Sequence, residues 1–154
     1  MTITADRPTL TAPRTLISPE LFDRLTARIR IDHPEHAHQA EQIMTEALAF
    51  LGACAVNPGA GLGPSDLVDI GWHTFLMYTE DYARFCQDVA GRFIHHAPDN
   101  DPAAAGAGAS LSVTIAAMTL AGYPVNEAMW PTAADCSSQK CSQCHAGCTD
   151  SPTK

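Results

Sequence analysis

The sequence predicts an all-α protein, an irregular bundle of four or five helices. Apolar residues recur at helical spacing in several segments, and stretches rich in proline and glycine separate these segments. Nothing alternates between apolar and polar residues for long, so no strand is predicted. With 154 residues, 45% of them hydrophobic, the chain can form one domain with a real core. We assign residues 18–131 to this helical domain, residues 1–17 to a flexible N-terminal arm and residues 132–154 to a cysteine-rich C-terminal tail.

The first helix is predicted to begin at Ser18. Residues 1–17 are rich in threonine, proline and alanine without a sustained period, which is typical of a flexible arm. Ser18 is a favourable N-cap, and Pro19 suits the first helical position. The apolar stripe of this helix consists of Leu21, Phe22, Leu25 and Ile29. Asp32 with Glu35 resembles a capping box that would start the next helix.

The longest helical period of the chain follows, over about five turns. Its apolar positions are Ala37, Ala40, Met44, Ala47, Leu48, Leu51 and Ala55, and the alanines would allow a partner helix to approach closely. His33, His36 and His38 crowd the start of this helix, where solvent is expected. We interpret them as a solvated cluster, with a surface metal site as the alternative. The loop at residues 57–64 lacks the residue order of a phosphate-binding loop.

Residues 65–96 combine helical periodicity with reactive side chains. Two short helices are predicted here, with a break at Thr79. The first has a stripe of Asp69, Trp72, His73 and Leu76, and the second has Tyr82, Phe85, Cys86 and Val89. Asp69 lies one turn before His73, so it can orient the histidine ring or share a metal ion with it. A solvated Asp69 beside a hydrogen-bonded core histidine fits the spacing equally well.

Two adjacent histidines end this stretch. In an extended segment His95 and His96 point to opposite sides, so only one of them can join Asp69 and His73. We predict that this residue is His96, on the expectation that Phe93 is the inward residue before it and that a kink at His95-His96 presents the second histidine.

The stretch also resembles a known family. The run from Val68 to Phe75, with Tyr82, Gly91 and the terminal histidine pair, is similar to the glycine-rich domain-containing protein-like family, most of all to its small actinobacterial members. The resemblance covers roughly Pro64 to Pro98. Plant members often read Trp-His-x-His, and here Phe75 replaces the second histidine, which removes one metal ligand. That family has no settled activity, so the resemblance implies a fold more than a function.

One further helix is predicted after a linker at residues 99–108. Ser110 would cap it, and Leu111, Ile115 and Met118 would form its apolar stripe. Ala121-Gly122 ends the segment, and residues 126–130 add one more turn.

The C-terminal tail holds four of the six cysteines within thirteen positions. Cys141 and Cys144 have the spacing that lets two thiolates bind one metal ion, and Cys136 and Cys148 can complete a tetrahedral set. Zinc is the first expectation, with copper(I) or an iron–sulfur cluster as alternatives. Cys141-x-x-Cys144-His145 also matches the c-type haem pattern, which the missing export signal and the terminal position disfavour. A reduced, disordered tail and a modified peptide core fused to a folded leader both stay open.

Charge and hydropathy exclude several classes of function. The net charge of −8 and the absence of a basic patch argue against nucleic acid and anionic membranes as partners. No apolar run is long enough to span a bilayer, and no signal peptide is evident, so we expect a cytoplasmic location with reduced thiols.

The sequence therefore favours a metal-binding accessory protein. Its predicted metal ligands are Asp69, His73, His96, Cys136, Cys141, Cys144 and Cys148. The alternative is a small metal- or thiol-dependent enzyme with His73 as acid/base and Cys86 as nucleophile. An interaction module with a protein partner is a third class. The sequence gives no oligomeric state and no pathway.

Overall fold

The computed structural model describes residues 10–96 and 110–131. Over these residues it contains five α-helices, three short 3-10 helices and no strand, which confirms the predicted all-α fold. The α-helices are α1 Pro19–Asp32, α2 Ala40–Val56, α3 Asp66–Met77, α4 Thr79–Ala90 and α5 Leu111–Leu120. The 3-10 helices are Pro13–Leu16, Pro34–Gln39 and Glu127–Met129. The linker at 99–108 and all four tail cysteines lie outside the described residues.

Helix α2 is the centre of the bundle and packs against the other four α-helices. Every residue from 46 to 53 is buried, so this part of α2 meets protein on all sides. The close approach expected from its alanines occurs against α3. A Cβ placed on Gly71 would lie 2.7 Å from the Cβ of Ala47 and 3.1 Å from the carbonyl oxygen of Ile43. The two helices can therefore lie this close because residue 71 has no side chain.

Serine side chains begin three of the helices. The Ser18 hydroxyl accepts the Leu21 N–H at 3.2 Å, and Ser110 caps α5 in the same way, as predicted. The predicted capping box is wrong, because Asp32 is the last residue of α1 and its carboxylate accepts from Arg28 within that helix at 2.7 Å. Residues 34–39 form a 3-10 helix before α2 begins.

The folded part of the chain begins before Ser18. Residues 13–16, expected to belong to a flexible arm, form a 3-10 helix with Pro13 buried. Arg14 donates to the Glu41 carboxylate at 2.9 Å and to Thr45 at 3.2 Å, both on α2. These contacts to α2 account for the order of residues 13–16.

A buried carboxylate fastens the C-terminal turn to α2. Glu46 is 3% exposed, and its Oε1 accepts the Asn126 N–H at 3.0 Å and the Trp130 indole N–H at 2.9 Å. The extra turn predicted at residues 126–130 is present as the 3-10 helix Glu127–Met129. Within the described residues, none of the helices has both the length and the apolar character needed to cross a membrane.

Candidate metal centre

Helix α3 supplies the first two residues of the centre. Ser65 caps the helix by accepting the Val68 N–H, which fixes where the first turn begins. Asp69 and His73 then lie four residues apart on one face. The Nδ1 of His73 is 3.0 Å from the Asp69 Oδ2 and 3.1 Å from the Asp69 backbone carbonyl. Helix geometry alone therefore places a carboxylate against the ring of His73.

The segment after α4 supplies the third residue. Helix α4 ends at Ala90 and is capped by Gly91, whose φ of +66° is favourable only for glycine, and the chain turns back toward α3. Ile94 in this segment is buried, and its carbonyl accepts the Tyr82 hydroxyl at 2.6 Å. Tyr82 in turn accepts the Trp72 indole N–H at 2.9 Å. Burial raises the pKa of Tyr82, so the hydroxyl stays protonated as the donor that anchors Ile94.

These anchors bring His96 onto Asp69. The His96 Nε2 is 2.6 Å from the Asp69 Oδ1, and the rings of His73 and His96 have centroids 4.3 Å apart. The His96 ring also lies against the Trp72 ring at a centroid distance of 4.3 Å. One potential ligand atom from each of Asp69, His73 and His96 lies within 4.8 Å of the other two. The structure thus brings together the three residues that the sequence singled out in the helical domain.

The three side chains of the centre differ in their exposure to solvent. The His96 side chain is 11% exposed, Asp69 is 29% exposed and His73 is 58% exposed. Solvent therefore reaches the group past His73, while Trp72 lies against His96. An ion bound here would be held by two imidazoles and one carboxylate and would keep positions open to water or a small ligand.

His96 points to Asp69 for a different reason from the one expected. Phe93, taken as the inward residue, is 44% exposed, whereas Ile94 is buried. Because alternate residues of an extended segment share a side, Ile94 and His96 face inward together and His95 is exposed on the other side. The predicted residue was His96, but the inward residue before it is Ile94 and not Phe93, so regular alternation places His96 on the inward side without the expected kink.

The remaining sequence candidates lie elsewhere. Cys86 is 0% exposed in the core, where a substrate cannot reach its thiol. In the histidine cluster before α2, His36 bonds to Gln39 and His33 lies 3.6 Å from Glu35. Among the residues that the structure describes, Asp69, His73 and His96 are the one group with three metal-ligand atoms this close. The break between α3 and α4 falls at Tyr78, one residue before the predicted position.

Comparison with known protein families identifies the chain through its helical part. Residues 14–107 match the UCP032817-like family, which is more than half of the sequence. The chain belongs to the UCP032817-like family. This match overturns the resemblance to the glycine-rich domain-containing protein-like family, which rested on the short stretch from about Pro64 to Pro98. No curated protein and no solved structure matches the chain. The family match includes Asp69, His73 and His96 and ends before the cysteine tail at residues 132–154.

Proposed function

We propose that this protein binds a divalent transition-metal ion at Asp69, His73 and His96. The observation that carries the proposal is the convergence of these three side chains from two separate segments, with ligand atoms within 4.8 Å of one another. Ligand atoms around a tetrahedral zinc ion lie about 3.3 Å apart, because each bond is about 2.0–2.2 Å long. The present nitrogen–oxygen distances, 3.0 Å from His73 to the Asp69 Oδ2 and 2.6 Å from His96 to the Asp69 Oδ1, lie close to that spacing.

Zinc is the ion that suits this set of ligands best. Two imidazole nitrogens and one carboxylate oxygen form a borderline-hard set, which suits zinc and other first-row divalent ions. Both nitrogens now directed at Asp69 would have to be free of protons to bind metal, so protons compete with the ion and binding weakens in acid. The Trp72 ring and the Tyr82–Ile94 hydrogen bond would hold His96 before the ion arrives, which lowers the ordering cost of binding.

A second metal site is part of the proposal, on the spacing of the tail cysteines alone. Cys136, Cys141, Cys144 and Cys148 offer four thiolates, a set that zinc, copper(I) or an iron–sulfur cluster accepts. The protein would then be a metal-binding accessory protein of the cytoplasm. Its acidic net charge of −8 fits cation binding rather than nucleic-acid binding.

Metal stoichiometry of untagged protein tests both sites at once. We expect two ions per wild-type chain after zinc loading and dialysis, and one ion when the four tail cysteines are replaced by serine. Adding His96→Gln to the serine variant should remove the remaining ion. His95→Gln is the matched control, since it removes an exposed imidazole next in sequence and leaves the centre intact.

Two results would contradict the proposal for the helical domain. One is a tail-serine variant that holds no zinc, cobalt or nickel in equilibrium dialysis. The other is an equal loss of zinc affinity in His95→Gln and His96→Gln, because a real centre distinguishes them by at least about tenfold, or roughly 1.4 kcal/mol.

An acid/base role for His73 is the second candidate function. Asp69 lies against the Nδ1 of His73 at 3.0 Å and leaves the Nε2 of this exposed ring without a protein partner among the described residues. This arrangement is typical of a histidine base held by a carboxylate. Metal analysis separates the two functions: a general base needs no bound ion, whereas the metal centre loses affinity when His73 is replaced by glutamine.

A further inference from the structure

A cleft that Trp72 also lines carries an arginine but no acidic side chain. It has a volume of about 180 Å³, and the ionisable side chains that line it are Arg92, His95 and Cys54. Neither an aspartate nor a glutamate is among its lining residues, in a chain with 17 acids and a net charge of −8. A second cleft, between α1 and α4, is lined by three acids and two arginines. The absence of carboxylates therefore distinguishes the first cleft from the second.

Arg92 is fixed at this cleft and keeps free donors. Its Nη2 donates to the carbonyl oxygens of Cys54 at 2.8 Å and of Ala55 at 3.4 Å, at the C-terminal end of α2. These bonds compensate the negative end of the α2 dipole. The Nε and Nη1 groups have no acceptor, and the guanidinium has no carboxylate partner, in the part of the chain described. A half-buried arginine in this state can still donate a charge-assisted hydrogen bond from Nε or Nη1 to an oxyanion.

Other groups around the cleft are donors rather than acids. The backbone N–H groups of Gly61 and Leu62, in the loop that lines the cleft, donate to no acceptor within the described residues. Burial raises the pKa of the Cys54 thiol to about 12, so it stays uncharged at neutral pH. An anion in this cleft would therefore meet no opposing negative side chain.

We propose that this cleft binds a small organic acid, with its carboxylate against Arg92 and its apolar part against Leu62 and Trp72. Ligand pockets for drug-sized molecules have volumes of about 300–1,000 Å³, so a cleft of about 180 Å³ accepts only a short acid. The apolar lining from Leu62, Trp72 and Ile94 favours an organic acid over inorganic phosphate. The site is separate from Asp69, His73 and His96, none of which lines it.

Two tryptophans make the test internally controlled. Trp72 lines the cleft, whereas Trp130 is buried against Glu46 away from it. We would titrate the full-length chain, freed of metal by a chelator, with isobutyrate and record both indole N–H resonances by NMR. Isobutyrate should shift the Trp72 signal saturably and leave the Trp130 signal in place. Isobutyramide, which has the same shape without the charge, should bind at least about tenfold more weakly.

Arginine variants locate the charge that binds. Arg92→Gln should weaken isobutyrate binding at least about tenfold. Arg84→Gln, the same loss of charge on an exposed residue of α4 outside this cleft, should leave it unchanged. If Arg92→Gln fails to fold, the comparison of isobutyrate with isobutyramide on wild-type protein decides alone.

The assignment is overturned by any of three results. They are equal shifts of Trp72 by isobutyrate and isobutyramide, equal weakening by the two arginine variants, and saturation by inorganic phosphate but not by isobutyrate. Because the titration uses metal-free protein, none of these results depends on whether the centre at Asp69 binds an ion.

Discussion

Asp69 accepts hydrogen bonds from two histidines that come from different parts of the chain. His73 is its neighbour one turn along α3, whereas His96 arrives from a segment 27 residues away. The segment that carries His96 is bound by the Tyr82 hydroxyl, which donates to the Ile94 carbonyl and accepts the Trp72 indole N–H. The carboxylate of Asp69 is thus held by a local contact with His73 and a tertiary contact with His96. A mutation away from Asp69 can weaken the tertiary contact and leave the local one intact.

Replacing Tyr82 by phenylalanine should weaken the centre without touching a ligand. The change removes one hydroxyl from a buried chain of hydrogen bonds and leaves the Trp72 N–H and the Ile94 carbonyl without partners. We expect a loss of about 1–3 kcal/mol in the free energy of unfolding, measured in urea. Zinc affinity should fall as well, because His96 is no longer held against Asp69.

Tyr78→Phe is the control for this prediction. Tyr78 packs its ring under Arg24 at 5.1 Å, and its hydroxyl makes no side-chain hydrogen bond within the described residues. Its removal should change both measurements little. Equal effects of the two variants would mean that the Tyr82 hydroxyl does not position His96.

At the scale of single residues, the sequence predicts contacts between residues close in the chain and misses contacts that depend on tertiary packing. The spacing of Asp69 and His73 requires only a helix, so the pair could be predicted from the residues alone. The inward residue before His96 could not, because Phe93 and Ile94 are adjacent apolar residues and either register is compatible with a short extended segment. Arg92 and the Tyr82 hydroxyl were missed because their partners, Cys54 and Ile94, are defined by the packing of α2 and α4.

At the scale of helices, the close packing of α2 and α3 positions the centre. Gly71 lies between Asp69 and His73 on α3 and packs close to Ala47 of α2. The distance between the two helices therefore determines where α3 holds Asp69 and His73. Helix periodicity and serine caps predicted these elements well, because both signals are local. Near Asp32 the capping signal failed, since the contact with Arg28 inside α1 uses the same carboxylate.

Gly71→Ala should destabilise the protein although alanine is the better helix former. The new Cβ would lie 2.7 Å from the Ala47 Cβ and 3.1 Å from a backbone carbonyl, so α3 must shift, at a cost of about 1–3 kcal/mol. The double variant Gly71→Ala/Ala47→Gly relieves the first of these overlaps. We expect the double-mutant cycle, measured by chemical denaturation, to give a favourable coupling of at least about 0.5 kcal/mol. Additive effects would show that the two positions are not in contact.

Glu46 should make the attachment of the C-terminal turn to α2 depend on pH. Burial raises the pKa of Glu46, and the bonds from Trp130 and Asn126 offset this only in part. A folded-state pKa above the unfolded one stabilises the protein fully below the ordinary glutamate pKa of about 4.3, and this stability is lost as the pH rises through the folded-state value. Glu46→Gln keeps an acceptor oxygen and does not titrate.

We therefore expect wild type and Glu46→Gln to differ in how their free energy of unfolding changes with pH. Between about pH 4 and pH 7 the unfolding free energy of the variant should rise relative to that of wild type. Thermal unfolding at several pH values measures this. A difference between the two proteins that stays constant over the range would mean that Glu46 titrates in the folded protein as it does in the unfolded chain.

On the scale of the whole molecule, the candidate centre connects α3, in the middle of the bundle, to the segment at residues 91–96 that follows α4. Asp69 and His73 are fixed on α3, which packs on the fully buried part of α2, while His96 is the last residue described before the segment 97–109.

The all-α fold followed from composition and periodicity spread over the entire chain. The family did not follow from the sequence motif, because a stretch of about 35 residues around Trp72 and His73 pointed to a different family from the one matched by residues 14–107.

Zinc should stabilise the folded protein by joining these two parts. An ion that binds only the folded state adds about 2.7 kcal/mol to the free energy of unfolding when its free concentration is one hundred times its dissociation constant. We expect the melting temperature of the tail-serine variant to rise with zinc concentration, and Asp69→Asn to abolish this rise. Asp66→Asn is the matched control, because it removes an exposed carboxylate from the first turn of the same helix and contacts neither histidine. The rise should also disappear in acid, where protons compete for the two imidazoles. A zinc-dependent increase that persists in Asp69→Asn, or that is lost equally in Asp66→Asn, would place the ion elsewhere on the acidic surface.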